Sequence, residues 1–147
     1  MESAAGPLAS RLGYLLKHAQ LRLNQAGGQA LAPFGVDGHE LAVLVVLATG
    51  EPLSQVEAAR QLGVDRTTMV ALIDGLEERG LVERRRSPQD RRRNIVEPTE
   101  AGRSCLRQAE QARLEVERRF LAPLGEEEAE RFVRALQTLL NAPAGEE

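Results

Sequence analysis

Leu8, Leu12, Leu15, Leu16, Ala19 and Leu23 recur at helical spacing, so a long first helix is expected. It meets Gly27 and Gly28, each costing about 1 kcal/mol in a helix interior, and is expected to end or kink there. Pro33 and Gly35 mark a further break. Asp37 and Glu40 stand at capping-box spacing, in which each side chain bonds the other residue's backbone N–H. The apolar run that follows, residues 41–47, reads as a buried helix stopping near Gly50 and Pro52, with a buried strand left open by its valines.

Ser54 and Glu57 repeat the capping-box spacing and open a short helix over residues 55–62, which Gly63 can end in the left-handed conformation. Asp65 caps a further helix over residues 66–79, ended by Gly80. Within it Met69, Leu72, Ile73 and Leu76 form one apolar stripe. The opposite face carries Arg66, Thr67, Val70, Ala71 and Asp74. Two capped helices joined by a short glycine turn fit a helix-turn-helix.

Beyond Gly80 the pattern changes to two β-favouring pairs, Leu81-Val82 and Ile95-Val96, flanking a polar stretch with Ser87-Pro88 as its turn signal. This reads as a basic hairpin. Thr99 can cap a long helix reaching about Leu121, with a thin stripe of Leu106, Ala109, Val116 and Phe120. Pro123 and Gly125 break it. A last helix begins with Glu126, Glu127 and Glu128, favourable against the helix dipole, and presents Ala129, Phe132, Val133, Leu136, Leu139 and Leu140 on one face. The residues after Asn141 are expected to fray.

The expected class is therefore mainly α with a small β-wing: one domain over residues 1–147, with a winged helix-turn-helix lobe at 37–98. Such a lobe lays its second helix in the major groove of double-stranded DNA. That places Arg66, Thr67 and Thr68 at bases or phosphates, and Ser54 and Gln55 at phosphates through side chain and backbone N–H. The hairpin tip, with Arg91, Arg92 and Arg93, is placed to reach an adjacent minor groove.

Charge sharpens this picture. The chain of 147 residues carries a net −3, yet residues 79–93 hold seven arginines against Glu83 and Asp90, a local +5 on a body of −8. A basic island on an acidic body suggests one face that meets an anion. Eighteen of the 19 basic residues are arginine, so the clustering informs more than the residue type. The bland alternative is a merely solvated face; the alternative function is a winged-helix protein-interaction module whose basic wing takes an acidic partner. No phosphate-binding glycine loop, nucleophile elbow or metalloprotease motif is present, so no enzyme is expected. Aromatic content of 3% leaves no stacking platform for RNA. The opening MESAAGPLAS has no basic region before an apolar stretch, so no signal peptide is expected. The longest apolar run, residues 41–48, is far short of the ~20 residues a membrane span needs. With one cysteine, Cys105, and no disulfide framework, a cytoplasmic protein without membrane partners is expected.

The stretch GLEERGLVERRRSPQDRRRNIVEPTEAG, preceded by LSQVEAARQLGVDRTTMVALID, resembles the multiple-antibiotic-resistance regulator (MarR) family. That family's wing carries Asp-x-Arg in a run ending Thr-x-x-Gly, matched here by Asp90, Arg92, Thr99 and Gly102; Pro98 stands where leucine is usual. The order of six helices and one wing extends the resemblance over nearly the whole chain. It implies a homodimeric, sequence-specific transcriptional regulator, most often a repressor, on a palindromic operator. Arg92 would enter the minor groove, and Asp90 would orient the wing through a hydrogen-bonded ion pair or, more simply, by shaping the turn. The helices at 8–34 and 99–141 would form the dimer, in keeping with their surplus of apolar stripe. A two-fold dimer sets its recognition helices about 34 Å apart.

The family's members commonly release DNA when a small ligand or an oxidant arrives. The early cysteine of its peroxide-sensing branch is replaced here by Gly13, beside Tyr14. Arg103 and Arg107 flank Cys105, for which an inert role is expected. His18, His39 and Cys105 lack paired ligand spacing, so no metal and no cofactor are expected. Tyr14 and His18 share a helical face; with His39 approaching them, and Arg11 and Lys17 as anion partners, they are expected to make the polar end of a pocket for a small phenolic or anionic effector. The simpler alternative is a packed tyrosine and a satisfied interface histidine.

Overall fold

The computed structural model describes residues 6–145. The expectation of no signal peptide falls in part on residues 1–5, outside that range. After Asn141, residues 142–145 carry no regular structure, and residues 146–147 lie outside the described range.

Helix α1 (Leu12–Leu31) runs unbroken through Gly27 and Gly28, correcting the expected end or kink. The two glycine penalties, together about 2 kcal/mol, are outweighed because this half of α1 packs against its neighbours and ends on the buried Leu31. Pro33 supplies the real stop: it sits in a 3₁₀ turn, Ala32–Phe34, closed by Gly35 at φ 71°.

The apolar run after Asp37 is helix, not strand. The box is complete: Glu40 N–H donates to Asp37 Oδ1 at 2.8 Å, and Asp37 N–H to Glu40 Oε1 at 3.0 Å. Helix α2 (Gly38–Ala48) then buries Leu41, Val43, Leu44 and Leu47 at the centre of the core. Helices α3 (Gln55–Leu62) and α4 (Arg66–Glu78) pack on it through Ala58, Met69, Ile73 and Leu76. Strands β1 (Val82–Arg86) and β2 (Asn94–Pro98) pair antiparallel with Val82 opposite Pro98 and Arg86 opposite Asn94. Val96 N–H also bonds Leu53 O at 2.8 Å, tying the wing to the chain entering α3.

Thr99 joins the wing to helix α5 (Glu100–Leu121). Its N–H donates to Leu81 O at 3.0 Å, its hydroxyl to Gly80 O at 2.6 Å, and the same Oγ1 accepts Gly102 N–H at 3.1 Å. A 3₁₀ turn, Ala122–Leu124, leads into α6 (Glu126–Asn141). None of the apolar face of α6 is buried within the chain: Leu139 is 68% and Leu140 83% exposed, and on α1 Leu12 is 67% exposed. Among the described residues, no single helix is long and apolar enough to cross a bilayer.

Candidate nucleic-acid interface and ligand cavity

The two helix starts of the helix-turn-helix are built differently. Asp65 Oδ1 accepts Thr68 N–H at 2.7 Å, and that bond holds the Asp65 carboxyl below its ordinary pKa. Arg66, Thr67 and Thr68 therefore sit exposed on a first turn whose cap is already satisfied. At α3 only half of the expected box forms. Ser54 Oγ accepts Glu57 N–H at 3.2 Å, but the Glu57 carboxylate turns to the Ser54 hydroxyl (2.9 Å) and to the Arg93 guanidinium. Gln55 Oε1 is likewise taken, by Arg84 Nε at 2.8 Å.

Within the arginine island, internal pairing divides the residues into two groups. Arg84 reaches Asp74 at 2.5 Å and Glu77 at 2.8 Å on α4, besides Gln55, so it bolts the wing to both helices. Arg85 forms a fork with Glu97, both bonds 2.8 Å. Arg79 pairs with Glu40, and Arg93 with Glu57. Arg86, Arg91 and Arg92 have no acidic partner among the described residues. Of the three tip arginines expected at DNA, Arg93 is thus committed to α3, while Arg91 and Arg92 project exposed.

Asp90 forms no ion pair with Arg92, which corrects the first of the two roles implied for it. Its Oδ1 instead accepts the Arg92 backbone N–H at 3.0 Å, and its carbonyl accepts Arg93 N–H at 3.0 Å. Ser87, buried, closes the other side: its hydroxyl accepts Gln89 and Asp90 N–H, both at 3.3 Å. The tip is a backbone-bonded turn that leaves the Arg92 side chain free. The Arg84 contacts were not foreseen. Their signal was Asp74 and Glu77, one turn apart on α4, facing the strand that carries Arg84.

The expected effector cluster does not assemble. Tyr14 and His18 do stack, with ring centroids 4.1 Å apart and a 38° tilt. Arg11 and Tyr14 border a recess of about 480 Å³ with Leu8, Leu12 and Gly13. His39, however, lines a different cavity of about 700 Å³ between α1, α2 and α5, and Lys17 borders neither. The cavity meets α1 only from Leu23 to Leu31. At 1.5 Å per residue, His18 and Tyr14 lie about 8–14 Å farther along the helix. Cys105 is half-buried with its Sγ 3.7 Å from Phe34 O. Burial pushes its thiol pKa up, against a smaller pull from Arg79 rather than from Arg103 or Arg107.

Carboxylates held down by arginine make stability pH-dependent. The Arg85 fork lowers Glu97, and Arg118 with Arg119 lowers Glu115 to about 2. Both folded values lie below the unfolded 4.5, so their stabilisation is present above about pH 4.5 and is lost as pH falls through the folded values, about 2 for Glu115. The melting midpoint at low salt will fall below pH 4.5, and Glu97→Gln with Glu115→Gln will flatten that fall. An equal slope in the double variant would assign the acid sensitivity to other groups.

Comparison with known proteins places this geometry. The sequence profile of the MarR family matches residues 34–93. A Thauera aromatica protein proposed as the transcriptional regulator for the hcr operon is 32% identical over 139 residues, 94% of this chain and 84% of that protein. The structure of the transcriptional repressor CouR bound to a 23-mer DNA duplex superposes with a TM-score of 0.86 at 35% identity, covering 96% of this chain and 100% of that one. CouR from Rhodococcus jostii RHA1, bound to p-coumaroyl-CoA, gives 0.81 at 29% identity over 97% and 100%.

Proposed function

The chain belongs to the MarR family of transcriptional regulators, and from that premise we propose that it is a homodimeric repressor of a palindromic operator, released when a small molecule enters the α1–α2–α5 cavity. The family comprises regulators rather than enzymes. The observation that carries the reading is the division of the arginines: Arg66 on the first turn of α4, with Arg86, Arg91 and Arg92 on the wing, lack acidic partners among the described residues, whereas the wing's other arginines are spent inside the protein. Cations left free on a groove-reading helix and a wing are suited to phosphate and base edges. The CouR complex with a DNA duplex supports the same partner here.

Dimerisation is supported by the exposed leucines of α1 and α6, which water disfavours by roughly 25 cal/mol per Å² of apolar surface. A CouR complex with p-coumaroyl-CoA supports a small-molecule effector, and the cavity of about 700 Å³ is roomy enough for one. The site of action is the cytoplasm, where the operator lies.

Fluorescence anisotropy against DNA from upstream of the chain's own gene, compared with random duplex across a salt series, tests the proposal. The expected result is tighter binding to the upstream fragment, one dimer per site, with affinity falling steeply with salt. Absence of binding at low salt would replace it with the protein-interaction reading, an acidic partner on the basic wing.

A further inference from the structure

The α1–α2–α5 cavity carries information on the head group it accepts, and this inference rests on the effector reading above. Arg113 is the one guanidinium or ammonium among its lining residues, which also include Asp37, Glu110 and Glu117. Its charge is already matched: Nε and Nη2 bond both oxygens of Glu110 at 2.8 and 3.0 Å, and Nη1 bonds Glu117 at 2.6 Å. A guanidinium has five N–H donors, so two remain for a ligand oxygen. Around them the net charge of the triad is −1. A carboxylate brought there meets repulsion, whereas a carbonyl or hydroxyl oxygen takes the spare donors without it.

The opposite wall explains the glycines that fail to break α1. Both Gly27 and Gly28 line the cavity, and a Cβ on either would meet nothing within 4 Å. Neither has a positive φ, so backbone geometry does not demand glycine. Their absent side chains widen the apolar part of the cavity beside Leu41 and Val45.

We propose that the cavity takes an aromatic or acyl body bearing an uncharged carbonyl head (ester, thioester or amide) against Arg113, and discriminates against the free carboxylate of the same skeleton. The test uses p-coumarate, its methyl ester and its primary amide, titrated calorimetrically into the full-length protein at pH 8. The ester and amide are expected to bind at least about tenfold tighter than the acid. In Glu110→Gln with Glu117→Gln, the unmasked Arg113 will bring the acid to within about twofold of the ester. Gly27→Leu, checked for retained helicity, will weaken binding of all three by at least about tenfold, because its side chain projects into the apolar part of the cavity.

An acid that binds as tightly as the ester, or a preference unchanged in the double variant, overturns the head-group assignment. If that acid binding weakens likewise in Gly27→Leu, the cavity remains the effector site. If none of the three binds, or Gly27→Leu leaves binding unchanged, the effector reading of the cavity falls as well. DNA binding by anisotropy reports separately on the regulator reading.

Discussion

Gly102→Ala will destabilise the protein by about 3 kcal/mol or more, lowering the melting midpoint by roughly 10 °C. A Cβ at this position would stand 1.9 Å from Leu81 O and 2.9 Å from Leu81 C, both backbone atoms. Neither can yield cheaply. Leu81 N–H is bonded to Leu76 O at 2.9 Å, and Leu81 O accepts Thr99 N–H at 3.0 Å, so relief of the clash pulls apart the joint between α4, the wing and α5. The gain of about 1 kcal/mol that alanine usually brings to a helix is too small to offset this.

Gly75→Ala is the control. That glycine also lies inside a helix, but its Cβ would meet only the ends of the Arg79 and Glu40 side chains, at 3.5 and 3.8 Å. It should be neutral or stabilising by up to about 1 kcal/mol. Chemical denaturation of both variants decides the matter; equal stabilities would mean that α5 can slide away from Leu81 freely. Because the same joint sets the wing against α5, Gly102→Ala should weaken DNA binding even at temperatures where the protein remains folded.

The local rules were readable where the competing terms were few. Asp37, Ser54, Asp65 and Thr99 all start helices at the positions their side chains imply, because capping is decided within four residues. Gly63 and Gly35 take the left-handed conformation for the same reason. Gly27-Gly28 misled because a helix penalty is a local term and tertiary packing overrode it. The charge island misled differently: counting arginines cannot show that Glu57, Asp74, Glu77 and Glu97, distant in sequence or on the neighbouring strand, fold back onto four of them together with Glu40. The effector cluster failed for a geometric reason. Tyr14 and His18 share a face of α1, but which segment of a 20-residue helix meets α2 is set by the packing of three helices, which no pairwise spacing encodes.

Arg91→Ala with Arg92→Ala will reduce the salt dependence of operator binding by about two charges. The slope of log affinity against log salt will drop by roughly 1.8, with an affinity loss on the order of 30-fold at 0.15 M salt. The loss should be similar on operator and random duplex to the extent that the tip arginines act as charges on the phosphate backbone, which carries no base information. Arg66→Ala differs in kind: it should erode the preference for operator over random DNA by more than it lowers charge-driven binding. Arg84→Ala supplies the decisive contrast. Its guanidinium already faces Asp74 and Glu77, so no counterion is released through it when DNA binds, and the slope should stay near the wild-type value. Affinity should still fall, because removing Arg84 frees the wing from Gln55 and leaves Asp74 and Glu77 unneutralised on α4, the helix proposed to face DNA. Were Arg84→Ala to lower the slope as much as the tip variant does, the internal pairs must open on the duplex. The count of free arginines that supports DNA binding would then have to be made on the complex instead of the free protein.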